Sequence, residues 1–131
     1  MNLELTAEHR AIREMVRDFA EKEIAPGAAQ HDRTREFPYE NVRKCADLNL
    51  LGAMVAEEYG GSGLDTISYT LIVEELSRAC ASTGVIVSVN NSLFCHPVEK
   101  FGSEEQKRRI LVPHAKGEKL GCFCLSEPEA G

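Results

Sequence analysis

Apolar positions in the first part of the chain recur every three or four residues. Ile12, Met15, Val16, Phe19, Ala20 and Ile24 make one stripe with Glu, Arg and Lys between them, the pattern of a helix with one buried face. Thr6 is suited to cap its start, Glu8 lies in its first turn, and Pro26-Gly27 is expected to stop it after Ile24. Phe37-Pro38 then opens a second helix, because proline is tolerated at a first helical position. Val42, Cys45, Ala46 and Leu48 supply its buried side, and Leu50-Leu51-Gly52 ends it. A third helix starts at Asp65, with Ile67, Leu71, Ile72, Leu76 and Ala79 toward a core and Glu74, Glu75 and Arg78 away from it. Ser103-Glu104-Glu105-Gln106 has the spacing of a capping box, and the helix it opens carries Ile110 and Leu111 before stopping around 113–117. Ile12, Val16, Phe19, Leu71, Leu76 and Ile110 are the positions expected to be buried.

Three stretches depart from helical periodicity. Residues 57–65 carry Gly60, Gly61 and Gly63 within a turn-rich run that fits neither GxGxxG after a strand nor GxxxxGK[ST], so it reads as a tight loop between helices. Residues 84–93 are rich in β-branched side chains and by intrinsic preference form a strand, yet a helix surrounded by other helices, capped by Ser82 or Thr83, would be equally apolar. Pattern alone does not decide between the two. The last stretch alternates Leu120, Cys122 and Cys124 against Phe123 and Leu125, the period of a strand. A strand needs a partner, and everything upstream reads as helix. The chain is therefore expected to be the front part of a longer one.

Composition narrows the functional classes. With 131 residues, 43% of them hydrophobic, the chain can bury a core of its own. No run approaches the roughly twenty apolar residues of a membrane span, and Met1-Asn2-Leu3-Glu4 does not open a signal peptide. A net charge of -6 argues against nucleic acid as partner, and the basic group Lys107, Arg108 and Arg109 reads as a solvated helix face. The five cysteines, Cys45, Cys80, Cys95, Cys122 and Cys124, lie in apolar surroundings and read as reduced core residues. His9, His31, His96 and His114 show no ligand spacing, and no metal site is expected.

Taken together, these segments resemble the acyl-CoA dehydrogenase family, most closely its short-chain, butyryl-type members. The resemblance rests on Arg17-Asp18-Phe19-Ala20-Glu21-Lys22-Glu23-Ile24-Ala25-Pro26, on Glu57-Glu58-Tyr59-Gly60-Gly61-Ser62-Gly63-Leu64-Asp65, on Glu74-Glu75-Leu76-Ser77-Arg78, and on Ala81-Ser82-Thr83-Gly84-Val85. It continues through Val89-Asn90-Asn91-Ser92-Leu93, Lys100-Phe101-Gly102-Ser103-Glu104-Glu105-Gln106-Lys107 and Leu125-Ser126-Glu127-Pro128, in this order and spacing over essentially the whole chain.

That resemblance implies an all-α N-terminal domain over 1–119 and the first strand of a following β-domain over 120–131, with 85–89 helical against propensity. It implies FAD-dependent α,β-dehydrogenation of a short-chain acyl-CoA, an electron-transfer flavoprotein as acceptor, and a homotetramer. Phe123, Leu125, Ser126 and Gly131 are implied along the flavin, with Ser126 a hydroxyl donor to the ring system. Ile86, Val87, Val89, Asn90 and Leu93 are implied in the wall of the acyl pocket. The family's glutamate base belongs to a C-terminal bundle, so no residue here is expected to be catalytic and these 131 residues alone are expected to be inactive. Glu129 stands where the family commonly has glycine, and Ala56 where proline is common. The implied compartment is the bacterial cytoplasm, or alternatively the mitochondrial matrix. A reading from another class remains beside the enzyme: a non-catalytic helical module for binding or assembly with the same fold.

Overall fold

The fold is given by a computed structural model that describes residues 4–130. Its first helix, α1 (Ala7–Phe19), begins at Thr6, whose hydroxyl accepts from the His9 amide at 3.1 Å. His9 closes the capping box in the role usually taken by Glu or Gln: its Nδ1 accepts from the Thr6 amide at 3.3 Å. That bond leaves the proton on Nε2, which donates to Asp65 at 2.9 Å. Asp65 itself caps α4 (Thr66–Ala79) by accepting from the Ser68 amide, so one imidazole ties together the starts of two helices. The Ser68 amide, followed by His9, holds the Asp65 carboxyl down at about 2.

Pro26 does not stop the first helix. Between Phe19 and α2 (Ala25–Thr34) the chain makes a wider, π-type turn over Ala20–Ile24, and the Ala25 amide reaches back to the Ala20 carbonyl. The wider turn makes room for the proline ring, which sits in the first turn of α2 where no donor is required. Termination comes instead at Arg35, whose φ of 60° is left-handed. Helix α3 (Tyr39–Asp47) follows Pro38 and buries Val42 and Cys45, and Leu50–Gly52 then forms a short, fully buried 3-10 turn. The glycine-rich loop is as tight as expected, with Gly60 at φ 85° and Gly63 at φ 59°.

Residues 84–93 are helical: α5 (Ala81–Ser88) runs directly into a π-type segment over Val89–Cys95 and then α6 (His96–Phe101). Packing and side-chain hydrogen bonds outweigh β propensity here. Val87 is fully buried, the Asn91 amide donates to the Val87 carbonyl at 2.9 Å, and the Ser92 hydroxyl donates to the Ser88 carbonyl at 2.7 Å. Neither Ser82 nor Thr83 caps this helix. Cys80 occupies the cap position without a side-chain bond, and Thr83 is instead buried, accepting from the Asn41 amide at 3.1 Å. The capping box at Ser103 forms as read, opening α7 (Glu104–Gln106), which passes through a third π-type turn (Lys107–Leu111) into α8 (Val112–Ala115).

The main core gathers Val16, Ala20 and Ile24 with Val42, Leu51, Ile72, Leu76 and Val87, and a second cluster joins Val55, Tyr59, Cys95, Leu111 and Ala115. Of the positions expected inside, Val16, Leu71 and Leu76 are buried, whereas Ile12, Phe19 and Ile110 are only half-buried along the edges. Ile67, expected toward the core, is half exposed. Glu75, expected outside, is 1% exposed. It lies between Arg17, which donates at 2.5 and 3.1 Å, and Arg78, at 3.0 Å, and this pairing satisfies a carboxylate that could not otherwise be buried.

Candidate functional site

Two features named from the sequence, the helix carrying residues 86–93 and the segment 120–126, meet at one junction. Asn90 makes it. Fully buried, its amide nitrogen donates to the Leu51 carbonyl at 2.8 Å and the His114 carbonyl at 3.1 Å, with Cys95 Sγ at 3.7 Å. Its amide oxygen accepts from the Gly121 backbone at 2.9 Å. Gly121 comes so close to the Phe94 ring that a Cβ there would run into it, and Phe94 in turn packs on His114 with ring centroids 4.2 Å apart. His114 is oriented by its Nδ1 bond to the Ile110 carbonyl at 2.7 Å. The adjacent Asn91 ties the same helix to the Leu50 carbonyl at 2.9 Å. These polar groups are satisfied inside the chain, as buried amides must be.

Beyond Gly121 the side chains turn outward. Phe123, Leu125 and Ser126 are exposed, and no hydrogen bond among the described residues engages the Ser126 hydroxyl. The alternation in this stretch meets no ladder: among the described residues the single bridge joins Glu127 and Ala130. Gly131 lies outside the described residues. Cys122 and Cys124, expected in the core, are exposed, because the side chains of this segment find no second layer to pack on. Cys45 and Cys95 are core residues as expected, and burial pushes each thiol up to about 12, which rules them out as nucleophiles near neutral pH.

The five pocket candidates do not share one environment. Val87 is sealed in the core, and Asn90 is equally buried with its amide engaged. Ile86 and Val89 are partly buried and Leu93 is 43% exposed, so these three offer side chains along one side of the helix at spacings of three and four. Ile86 also lines an open groove of about 930 Å³, together with His31, Phe37, Pro38, Cys80 and Val85. Among the described residues no group of three or more His, Cys, Asp or Glu is placed to hold a metal ion. No helix among them is long and apolar enough to cross a membrane.

Sequence reasoning missed Gly121, Phe94 and His114 as parts of the junction. The available signal was the pair Asn90-Asn91 inside an otherwise apolar helix, since buried amides require specific partners.

The helices thus form one unit tied together by buried asparagines, with an outward-facing segment at the junction. The chain belongs to the acyl-CoA dehydrogenase family: residues 6–118 match the model of the acyl-CoA dehydrogenase N-terminal domain. It is 52% identical over 130 residues to the mitochondrial short-chain specific acyl-CoA dehydrogenase of Mus musculus, covering 99% of this chain and 32% of that protein. It is 49% identical over 131 residues to the short-chain specific acyl-CoA dehydrogenase of Clostridium acetobutylicum, covering 100% of this chain and 35% of that one. Its fold superposes on butyryl-CoA dehydrogenase from Megasphaera elsdenii with a TM-score of 0.90 at 38% identity, covering 100% of this chain and 35% of that chain. The chain thus spans about a third of the length of the curated relatives it matches.

Proposed function

We propose that this chain is the N-terminal helical part of an FAD-dependent short-chain acyl-CoA dehydrogenase, forming one wall of its acyl slot and one edge of its flavin site. The observation that carries the reading is the 52% identity to a short-chain member over 130 residues, which includes the helix and the outward segment joined at Asn90. Residues 1–119 would be the helical domain and 120–131 the entry into the next one.

The residues present fit FAD along one edge. Phe123 and Leu125 offer exposed apolar surface to a flat ring system, and Ser126 offers a hydroxyl with no partner among the described residues. When bound, FAD would supply a two-electron acceptor for the β-hydride of the thioester. The chain's own contribution is orientation and the exclusion of water. A helix anchored at Asn90 and Asn91 gives a rigid wall for a short acyl chain, and a narrow dry slot favours transfer between groups held on opposite faces. None of the described carboxylates is assigned the role of base. Butyryl-CoA is the expected substrate, an electron-transfer flavoprotein the expected acceptor, and a homotetramer the expected assembly.

Ile86→Ala and Leu93→Ala, made in the flavin-loaded enzyme that contains this chain, should each raise kcat/KM for six- to eight-carbon thioesters relative to butyryl-CoA. A methylene in an apolar pocket discriminates by about 1 to 3 kcal/mol, so the optimum shifts without an absolute switch. Leu93 is 43% exposed and its truncation should leave the melting temperature nearly unchanged, which isolates the pocket effect. An unchanged chain-length profile in both variants would remove Ile86 and Leu93 from the slot.

A further inference from the structure

Asn90 is an unusual residue to find fully buried in an apolar helix. A side chain serving only to fill this site could be leucine. Its amide instead joins three elements that are far apart in sequence: the 3-10 turn through the Leu51 carbonyl, the end of α8 through the His114 carbonyl, and the exit of the chain through the Gly121 amide. The first two bonds use both amide hydrogens and fix the plane of the group, which aims the amide oxygen at one backbone N–H. Gly121 meets that oxygen while pressed against Phe94, an approach that only glycine permits. From the next residue, Cys122, the side chains are exposed.

We propose that Asn90 is a positioning residue: through the Gly121 amide it sets where the segment bearing Phe123, Leu125 and Ser126 leaves the helical unit, and so where those side chains meet the flavin. The flavin half of this inference rests on the function proposed above; the anchoring half does not. In this role Asn90 acts through Gly121, its amide being engaged by Leu51, His114 and Gly121. Without the bond, Gly121 keeps its packing on Phe94, and among the described residues the exposed stretch after it has no other hydrogen-bonded tie to the helices.

Two variants separate the role from general stability. Asn90→Leu keeps an apolar fill of similar size and removes the bonds to Leu51, His114 and Gly121, and with them the contact to Cys95 Sγ. Gly121→Ala leaves Asn90 and its bonds to Leu51 and His114 in place but drives residue 121 off the Phe94 ring. Amide hydrogen exchange by NMR on this chain should show the amide of residue 121 exchanging roughly tenfold faster in both variants, while the amides of Leu76 and Ile72 in Gly121→Ala stay within about twofold of the parent. In the flavin-loaded protein containing the chain, both substitutions should shift the visible flavin absorbance envelope, a signature that loss of stability alone does not produce. An amide at 121 that exchanges at the parental rate in Gly121→Ala overturns the anchor, whatever Asn90→Leu does to folding. Faster exchange with an unaltered flavin spectrum keeps the anchor and overturns the placement of residues 123–126 at the flavin.

Discussion

Leu76→Ala should lower the stability of this chain by about 3 kcal/mol, within the range found when a buried leucine is truncated and its cavity only partly collapses. Leu76 is fully buried at the centre of the larger core, on the helix that packs against both α1 and α5. For a chain of 131 residues that loss corresponds to roughly 10 °C in melting temperature. Phe101→Ala provides the control: Phe101 is 77% exposed, and the change should stay within about 0.5 kcal/mol. Thermal unfolding followed by far-UV circular dichroism reads both values. A Leu76→Ala loss below 1 kcal/mol would mean that α4 is not the centre of the fold.

The second large effect belongs to Glu75. Its carboxyl is held below the usual range first by the hydrogen bond from Arg17 and then by Arg78, against the opposing push of burial. A carboxylate whose folded pKa is depressed stabilises the fold at neutral pH, and that contribution is lost as pH falls below its ordinary value of about 4.5 and through the folded value. Glu75→Gln keeps the shape and removes the charge. It should cost about 2 kcal/mol at pH 7, the scale of a hydrogen bond to a charged group, and less at pH 3, below the ordinary carboxyl value, where the unfolded parent is protonated and the charged form no longer contributes in full. Urea unfolding of both proteins at pH 7 and pH 3 measures this. A difference that does not shrink in acid would show that the two arginines do not stabilise the charged form.

The helix caps at Thr6, Asp65 and Ser103 were legible because a cap is a local device of four residues whose partners lie within one turn. What involved distant partners was not. Glu75 looked like a surface charge because its main partner, Arg17, is 58 positions away, and nothing in the local pattern of α4 points to it. Pro26-Gly27 looked like a stop because the rule assumes a regular helix, and the π-type turn before it changes the register. The helical state of 85–89 came from family resemblance and opposed residue preference; the reason lies in the asparagine and serine bonds that only the folded chain displays. The two segments of the candidate site, the helix and the exposed stretch after Gly121, could be picked out from the sequence as segments. Their junction could not, because Asn90 acquires its meaning from Leu51, His114 and Gly121, which no periodic pattern brings together.

The proposed function can be tested by transplanting the chain. In the short-chain specific acyl-CoA dehydrogenase of Clostridium acetobutylicum, of which this chain covers 35%, the matching N-terminal third can be replaced by residues 1–131 of this protein. Butyryl-CoA oxidation with a dye acceptor is then measured on the purified chimera. If the chain is the helical wall and flavin edge of a short-chain acyl-CoA dehydrogenase, the chimera is yellow, retains FAD through gel filtration, and oxidises butyryl-CoA in preference to octanoyl-CoA. A folded chimera that holds no flavin, or that holds flavin and turns over no short-chain thioester, would contradict the account.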